Sequence, residues 1–282
     1  MKTESYEIYA SADIKLFCKS WKPADPPKAV LFIVHGHGEH SGRYEALANL
    51  FIDNQIAVFA FDHRGHGKSG GKRGHADSIE QFVEDVELVL MKCRSLFLEI
   101  PVFIYGHSMG GQIVASYLDK VKSKEISGAI VSSAWFWLVS SPPAWQIKLI
   151  KKLALIMPRL TLSNGLDSAL ISSVATEVLL YKNDPLIHDK ISLALFDTLY
   201  HNGVWLTNHA QEVKVPVLVC HGDKDQITDR SGSEQYAKKI GTKAEFKIWP
   251  GAKHESHNDY DKENVMQFYV DWLGAILKSM DI

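Results

Sequence analysis

The pentapeptide Gly106-His107-Ser108-Met109-Gly110 joins one mostly apolar run to another within VFIYGHSMGGQIV, residues 102 to 114. A buried strand that turns tightly and leads at once into a helix has no structural need for a hydroxyl at the turn. It is, however, the setting in which a serine is raised above a parallel sheet as a nucleophile. Gly106 and Gly110, two positions to either side of Ser108, fit a turn so sharp that a Cβ beside the serine would clash. A serine in an ordinary turn is the plain alternative, but it leaves the strand, the helix and the surrounding α/β pattern unexplained.

A serine hydroxyl is a poor nucleophile at neutral pH. It needs a base, and the base needs an acid that fixes its tautomer and stabilises the imidazolium. On an elbow of this kind the chain order is serine, acid, histidine. PVLVCHGDKD offers Asp223 and Asp225 after a late strand, and Asp225, further into the loop, is preferred; either could be a turn-forming aspartate. WPGAKHESH offers His254 and His257. His254 comes first after the glycine turn and is the expected base, while His257 is its near neighbour if the loop winds helically.

Acyl transfer also needs N–H donors for the oxyanion of the tetrahedral intermediate. One is the backbone amide of Met109, at the start of the helix after the serine. The other is expected from HGHGEHSGRY, residues 35 to 44, whose glycines let its backbone approach a substrate, and His37 is the candidate. Glu39 and Arg43, four apart, read at this level as a helix-end ion pair.

These residues require a scaffold. Apolar runs bounded by Gly, Pro or Asp recur at 29 to 36, 56 to 62, 101 to 108, 126 to 134, 216 to 223 and 244 to 251. Their continuity predicts strands buried on both faces of a parallel sheet. Between them lie helical patterns such as 78 to 93 and 262 to 277, so the class is α/β. ESYEIYA and IKLFCKSW alternate with period two and predict an antiparallel hairpin at one sheet edge. Residues 135 to 212 contain no strand signal of comparable strength and read as an inserted helical cap, leaving 1–134 and 213–282 as the core.

Within the cap, Ser141 is the expected N-cap of a helix with Pro142 and Pro143 in its first turn. Trp145, Leu149, Leu153, Ile156 and Leu160 share one face of that helix, expected to pack on the domain, and Lys148, Lys151 and Lys152 lie largely off it. The sharper reading of the same pattern is a basic amphipathic helix that touches a lipid surface.

The chain of 282 residues can bury a substantial core, and 46% hydrophobic with 23% charged residues is ordinary globular composition. A net charge of −2 gives no field that argues for nucleic acid. Cys18, Cys93 and Cys220 form neither a disulfide framework nor a zinc pattern, which fits a reducing, cytoplasmic setting. No run reaches the roughly 18 to 20 apolar residues of a membrane span, and the N-terminus lacks the apolar core of a signal peptide. Nothing in the chain reports an oligomeric state.

Two other chemistries fit parts of the pattern. His35, His37, Glu39 and His40 give H-x-H-x-E-H, a spacing that could bind zinc, but no second cluster accompanies it and the serine elbow would go unused. RGHGKS, residues 64 to 69, fails as a phosphate loop because Asp62 stands where the pattern needs glycine. A non-catalytic binding protein on the same scaffold is disfavoured by the full set Ser108, Asp225 and His254.

HGHGEHSGRY, FDHRGHGKSGG, YGHSMGG, LSNGLDSALIS, YKNDPLI, HGDKD and GAKHESH, spread over nearly the whole chain, make it resemble the monoacylglycerol lipase and lysophospholipase branch of the α/β-hydrolases. The resemblance implies an α/β-hydrolase fold with a helical cap and hydrolysis of monoacylglycerols to fatty acid and glycerol, without a cofactor. Lysophospholipids and simple carboxylic esters are the alternative substrates. It implies a triad of Ser108, Asp225 and His254, oxyanion donors at His37 and Met109, and a glycerol-receiving end at Glu39, Arg43 and His257. Two positions depart from the family pattern: a histidine at 37 where a small or unbranched apolar residue is usual, and Thr228 where some members carry cysteine.

Overall fold

A computed structural model describes residues 2–120 and 126–280. The elements run β1 (Lys2–Ser11), β2 (Ile14–Lys22), β3 (Ala29–Val34), α1 (Glu45–Asp53), β4 (Ile56–Phe61), α2 (Ile79–Leu96), β5 (Val102–His107), α3 (Met109–Lys120) and β6 (Gly128–Ser132). They continue with α4 (Ala144–Ile156), β7 (Thr161–Ser163), α5 (Ala175–Asn183), β8 (Lys190–Ser192), α6 (Leu193–His209), β9 (Val217–Gly222), α7 (Arg230–Lys239), β10 (Ala244–Trp249) and α8 (Lys262–Met280).

Eight strands form one sheet in the order β1-β2-β4-β3-β5-β6-β9-β10. The hairpin β1/β2 joins it antiparallel through Cys18–Phe61 and Trp21–Val58 pairs, and every later pairing is parallel. Strands β3, β4, β5, β6 and β9 are buried at every residue, which is why their sequences are unbroken apolar runs. One face packs under Phe82, Val86, Ile113, Tyr117, Leu195 and Leu199 of α2, α3 and α6. The other packs under Leu47, Phe51, Val265, Tyr269 and Leu273 of α1 and α8. Each such fully buried side chain contributes roughly 1.5–3 kcal/mol of transfer free energy.

Because the strands are parallel, β3, β5, β6, β9 and β10 all end at the same edge of the sheet. The loops that follow them carry Gly36 to Arg43, Ser108, Ser133, Asp225 and His254. Five sequence-distant segments are thereby gathered into one crevice beyond the carboxyl ends of the strands, where ligands bind in open α/β sheets.

The segment between β6 and β9 differs from the sequence expectation in three respects. It contains a two-stranded sheet, β7 paired with β8. Three-residue strands joined across some thirty residues leave no periodicity to read. The helix α4 begins only at Ala144, with Pro143 extended at φ −63°, ψ 153°, and Ser141 Oγ donates to the Leu138 carbonyl instead of capping it. A residue before proline is disfavoured in the helical region, which works against a first turn at Ser141 or Pro142, and both lie outside the helix. Finally, the apolar face of α4 points outward: Trp145 is 64% and Ile156 77% exposed, and on this helix only Ile147 is buried. Helix α6, in contrast, drives Leu195, Leu199 and Leu206 into the main core.

Candidate active site

The elbow is built by exclusion. Ser108 has φ +54°, a left-handed conformation that costs a side-chain-bearing residue of order 1–3 kcal/mol. It is held there because its N–H donates to the Ser132 carbonyl at 3.0 Å and its own carbonyl accepts from Gln112 and Trp135 at 3.1 and 3.0 Å. A Cβ at Gly106 would run into the Gly110 carbonyl, and one at Gly110 into the carbonyls of Val34 and His35. Neither neighbour is side-chain tolerant, in keeping with the pentapeptide pattern. Met109 opens α3, so its amide is among the first-turn donors with no partner inside the helix.

Asp225 stands in the turn after β9 and is saturated with donors. Its Oδ1 accepts from the amides of Ile227 and Thr228 at 2.8 and 3.1 Å. Its Oδ2 lies 2.7 Å from His254 Nδ1, 2.9 Å from Thr228 Oγ1 and 3.0 Å from His221 Nε2. Burial opposes its charge, but the charges and hydrogen bonds of His254 and His221 prevail and hold the carboxyl well below its usual range. Asp223 serves a different purpose, since its Oδ1 accepts the Gly251 amide at 2.6 Å and stitches the β9 turn to the turn after β10.

His254 follows β10, with its Nδ1 on Asp225. Burial alone would lower its pKa, yet the Asp225 carboxylate, by charge and by hydrogen bond, outweighs burial and raises it. The His107 ring lies between His254 and His257, with centroids 4.8 and 4.9 Å away. Burial, then its two imidazole neighbours, keep His107 well below its ordinary value and therefore uncharged.

The loop after β3 that carries His37 is closed by the segment above it. His188 donates its amide to the Gly38 carbonyl at 2.9 Å and sets its ring Nε2 3.1 Å from the Gly65 carbonyl. His40 pairs with Asp184 at 2.8 Å. Gly38, at φ +78°, has no room for a Cβ because the His188 carbonyl would lie 2.5 Å from it. The four side chains of the H-x-H-x-E-H run diverge. His35 bonds Gly36 and His63, His37 receives Asn164 at 3.4 Å, Glu39 turns to Gly36, Tyr44 and Arg43, and His40 goes to Asp184. Among the described residues no three such groups converge on a metal position.

These elements enclose a cavity of about 480 Å³. Ser108, His107, His254, Gly36 and His37 form its polar floor. Leu138, Ile150, Leu162, Leu170, Ile191 and Phe196 form apolar walls drawn largely from the segment between β6 and β9. Glu39 and Glu255 also border it. Arg43 and His257, expected to meet a head group directly, stand one layer behind them. Arg43 Nη1 bridges Glu39 Oε2 (2.7 Å) and Glu255 Oε1 (2.6 Å), and Nη2 meets Glu255 Oε2 (2.7 Å). His257 is stacked on Tyr44 at 5.2 Å and is 3.2 Å from the Tyr105 hydroxyl; burial pushes its pKa down to about 4, so it is neutral.

Sequence reasoning passes over Glu255, His221 and Asn258. Glu255 and His221 lie inside the motifs GAKHESH and HGDKD, beside residues already singled out. Only the fold reveals that they turn toward Arg43 and Asp225.

The fold and this crevice define an α/β-hydrolase equipped for serine ester chemistry. The chain belongs to the family whose model is described as "Serine aminopeptidase, S33", which matches residues 25–261, and it falls within the monoacylglycerol lipase branch. It is 34% identical to the human monoglyceride lipase over 86% of this chain and 81% of that one. A crystal structure of Paleococcus ferrophilus monoacylglycerol lipase superposes with a TM-score of 0.84, at 34% identity, over 93% of this chain and 99% of that chain. An uncharacterised abhydrolase domain-containing protein of Dictyostelium discoideum is 35% identical over 92% of this chain, which spans 27% of that longer relative.

Proposed function

We propose that the protein hydrolyses the ester of monoacylglycerols, releasing a fatty acid and glycerol, beneath a cap formed by residues 135–212. The observation that carries this reading is the lining of one cavity: apolar side chains drawn largely from the cap, Ser108 and His254, and two carboxylates, Glu39 and Glu255, joined through Arg43; the acyl chain is taken to lie along the apolar walls and the alcohol toward the carboxylates. Such a space matches a single acyl chain with a polyol attached, and its volume is within the range of small-molecule sites.

In this reading Ser108 Oγ attacks the ester carbonyl while His254 Nε2 takes its proton. Asp225, bonded to Nδ1, keeps the ring in the required tautomer and stabilises the imidazolium. The oxyanion is received by the amides of His37 and Met109, so the histidine side chain at position 37 costs nothing. Collapse of the intermediate breaks the bond to the glycerol oxygen, which leaves with the proton from His254. Water, deprotonated by the same imidazole, then attacks the acyl-enzyme; fatty acid departs and Ser108 recovers its proton. Arg43 and His257 act from behind: Arg43 holds Glu39 and Glu255, and His257 packs the wall.

The outward apolar face of α4 supports contact with a lipid surface. Trp145, Leu149, Leu155 and Ile156 are exposed beside exposed Lys148, Lys151 and Lys152, and the same helix sends Ile150 into the cavity. Among the described residues no helix is long and apolar enough to cross a membrane, so such contact is peripheral. Co-sedimentation with anionic liposomes at low salt tests it, and absence of binding ends it.

The activity itself is tested with a monoacylglycerol series, a lysophosphatidylcholine and a p-nitrophenyl ester, with and without a serine-directed phosphonate. Preference for monoacylglycerol, abolished by the phosphonate, is expected. Turnover of the p-nitrophenyl ester alone would remove the glycerol assignment, and turnover that survives the phosphonate would remove the serine mechanism.

A further inference from the structure

An arginine near a hydrolytic serine suggests an anion clamp, since its fork suits phosphate and carboxylate. Here the fork is committed. Both terminal nitrogens of Arg43 are bonded to Glu39 and Glu255, and Tyr181 covers the guanidinium face at 4.8 Å. What meets the cavity is the far side of the two carboxylates.

An ionised carboxylate has roughly four acceptor positions. Glu39 uses three, for the Gly36 amide, the Tyr44 hydroxyl and Arg43. Glu255 also uses three, two for Arg43 and one for Asn258 Nδ2. One acceptor position remains on each. A monoacylglycerol has two free hydroxyls, so the donors it offers equal the acceptors left.

The charges follow the same pattern. One guanidinium facing two carboxylates leaves a unit of negative charge. Asp167 adds a third carboxylate to the lining, and no lysine or arginine is among the described residues that border the cavity. Of the histidines there, His37 and His107 are kept neutral chiefly by burial, and the charge His254 can carry is matched by Asp225. Burial works against the Glu255 charge, but Arg43, by charge and hydrogen bond, prevails and keeps the carboxyl ionised at neutral pH.

We propose that Glu255, together with Glu39, is a specificity residue: the pair forms a carboxylate end, beside Tyr181, that takes neutral leaving alcohols through their hydroxyls and rejects leaving alcohols that carry an anion, phosphomonoesters above all. This rests on the orientation proposed above, with the acyl chain toward the cap and the alcohol toward Glu39. The rejection is electrostatic, because an added phosphate would approach uncompensated carboxylates in a water-poor site.

The test uses four oleate esters, of glycerol, ethanol, glycerol 3-phosphate and glycerol 3-(dimethyl phosphate), presented in identical neutral-detergent micelles. The dimethyl ester is bulkier than the phosphate but uncharged, so it separates charge from size without any substitution. The wild-type enzyme is expected to show kcat/KM at least about tenfold lower for the phosphate than for the dimethyl phosphate. Glu255→Gln should narrow that gap to a few-fold and raise KM for the glycerol ester, with the melting temperature read alongside. Equal turnover of the charged and uncharged phosphate esters, refusal of both, or a gap untouched in a folded Glu255→Gln enzyme would overturn the proposal. Should that variant not fold, the wild-type comparison still decides. Equal use of the glycerol and ethanol esters with the charge gap intact would sink the monoacylglycerol reading and leave the anion exclusion standing.

Discussion

Replacing Asp225 by Asn changes one atom and should nearly silence the enzyme. The Asn oxygen can still accept the amides of Ile227 and Thr228, which fix the side chain at 2.8 and 3.1 Å, so the turn should survive. The new amide group then occupies the Oδ2 position, 2.7 Å from His254 Nδ1, with N–H facing N–H. His254 avoids that clash by carrying its proton on Nε2, the tautomer that cannot accept a proton from Ser108. Loss of the correct tautomer in a Ser-His-Asp site lowers kcat by about 10⁴, or about 5 kcal/mol of transition-state stabilisation. A second readout follows from the sign of the shift. His254 must be neutral to act as base, so kcat/KM rises as pH rises through its pKa, which Asp225 lifts above the ordinary histidine value. Without that carboxylate, burial dominates and the residual activity's acidic limb should move below about pH 6.5. Asp223→Asn, which alters only the contact with Gly251, is expected to keep activity within about twofold. An Asp225→Asn enzyme with more than a tenth of wild-type kcat, or with its acidic limb unmoved, would refute the assigned role.

Gly110→Ala should destabilise the fold by more than about 2 kcal/mol, because the new methyl meets fixed carbonyl oxygens of Val34 and His35 and not a movable side chain; thermal melting checks it. Asp85→Ala should cost about 3–5 kcal/mol by leaving the Arg64 guanidinium, held now by two 2.7 Å bonds, buried without its partner. Chemical denaturation measures this, and a loss under about 1 kcal/mol would contradict it. Changing Lys148, Lys151 and Lys152 together to Glu should abolish co-sedimentation with anionic liposomes while leaving turnover of a soluble p-nitrophenyl ester within about twofold, since all three are exposed and outside the cavity lining.

Sequence pattern and structure agree best where burial is two-sided. The runs at 29 to 36, 56 to 62 and 101 to 108 correspond to β3, β4 and β5 within a residue or two, because a strand covered on both faces has no polar positions to blur it. The chemistry-bearing loops are legible through their glycines, of which Gly38, Gly106 and Gly110 are required by a close backbone approach. The orientation of helix α4 is not legible in this way: its apolar spacing is real, but periodicity states only that a face is apolar, not what that face meets. Glu255 is invisible for another reason. Its partner, Arg43, is 212 positions away, and only the parallel sheet brings the loop after β3 beside the loop after β10.

The bonds that tie His188 to Gly38 and Gly65, and Asp184 to His40, have a mechanical consequence. They join the segment that roofs the cavity to the loops after β3 and β4, so the roof cannot lift as a whole without dragging those loops with it. The enzyme is better pictured as a tied vault than as a box with a hinged cover. Even the stretch from α4 to β7, whose greasy side chains face outward, is tied in: Leu193 donates to the Leu160 carbonyl, Lys72 reaches the Arg159 carbonyl, β7 pairs with β8, and Asn164 reaches His37. Entry of a substrate past so tied a roof would leave the residues on the cavity floor assembled throughout, with no closing step to wait for between one substrate and the next.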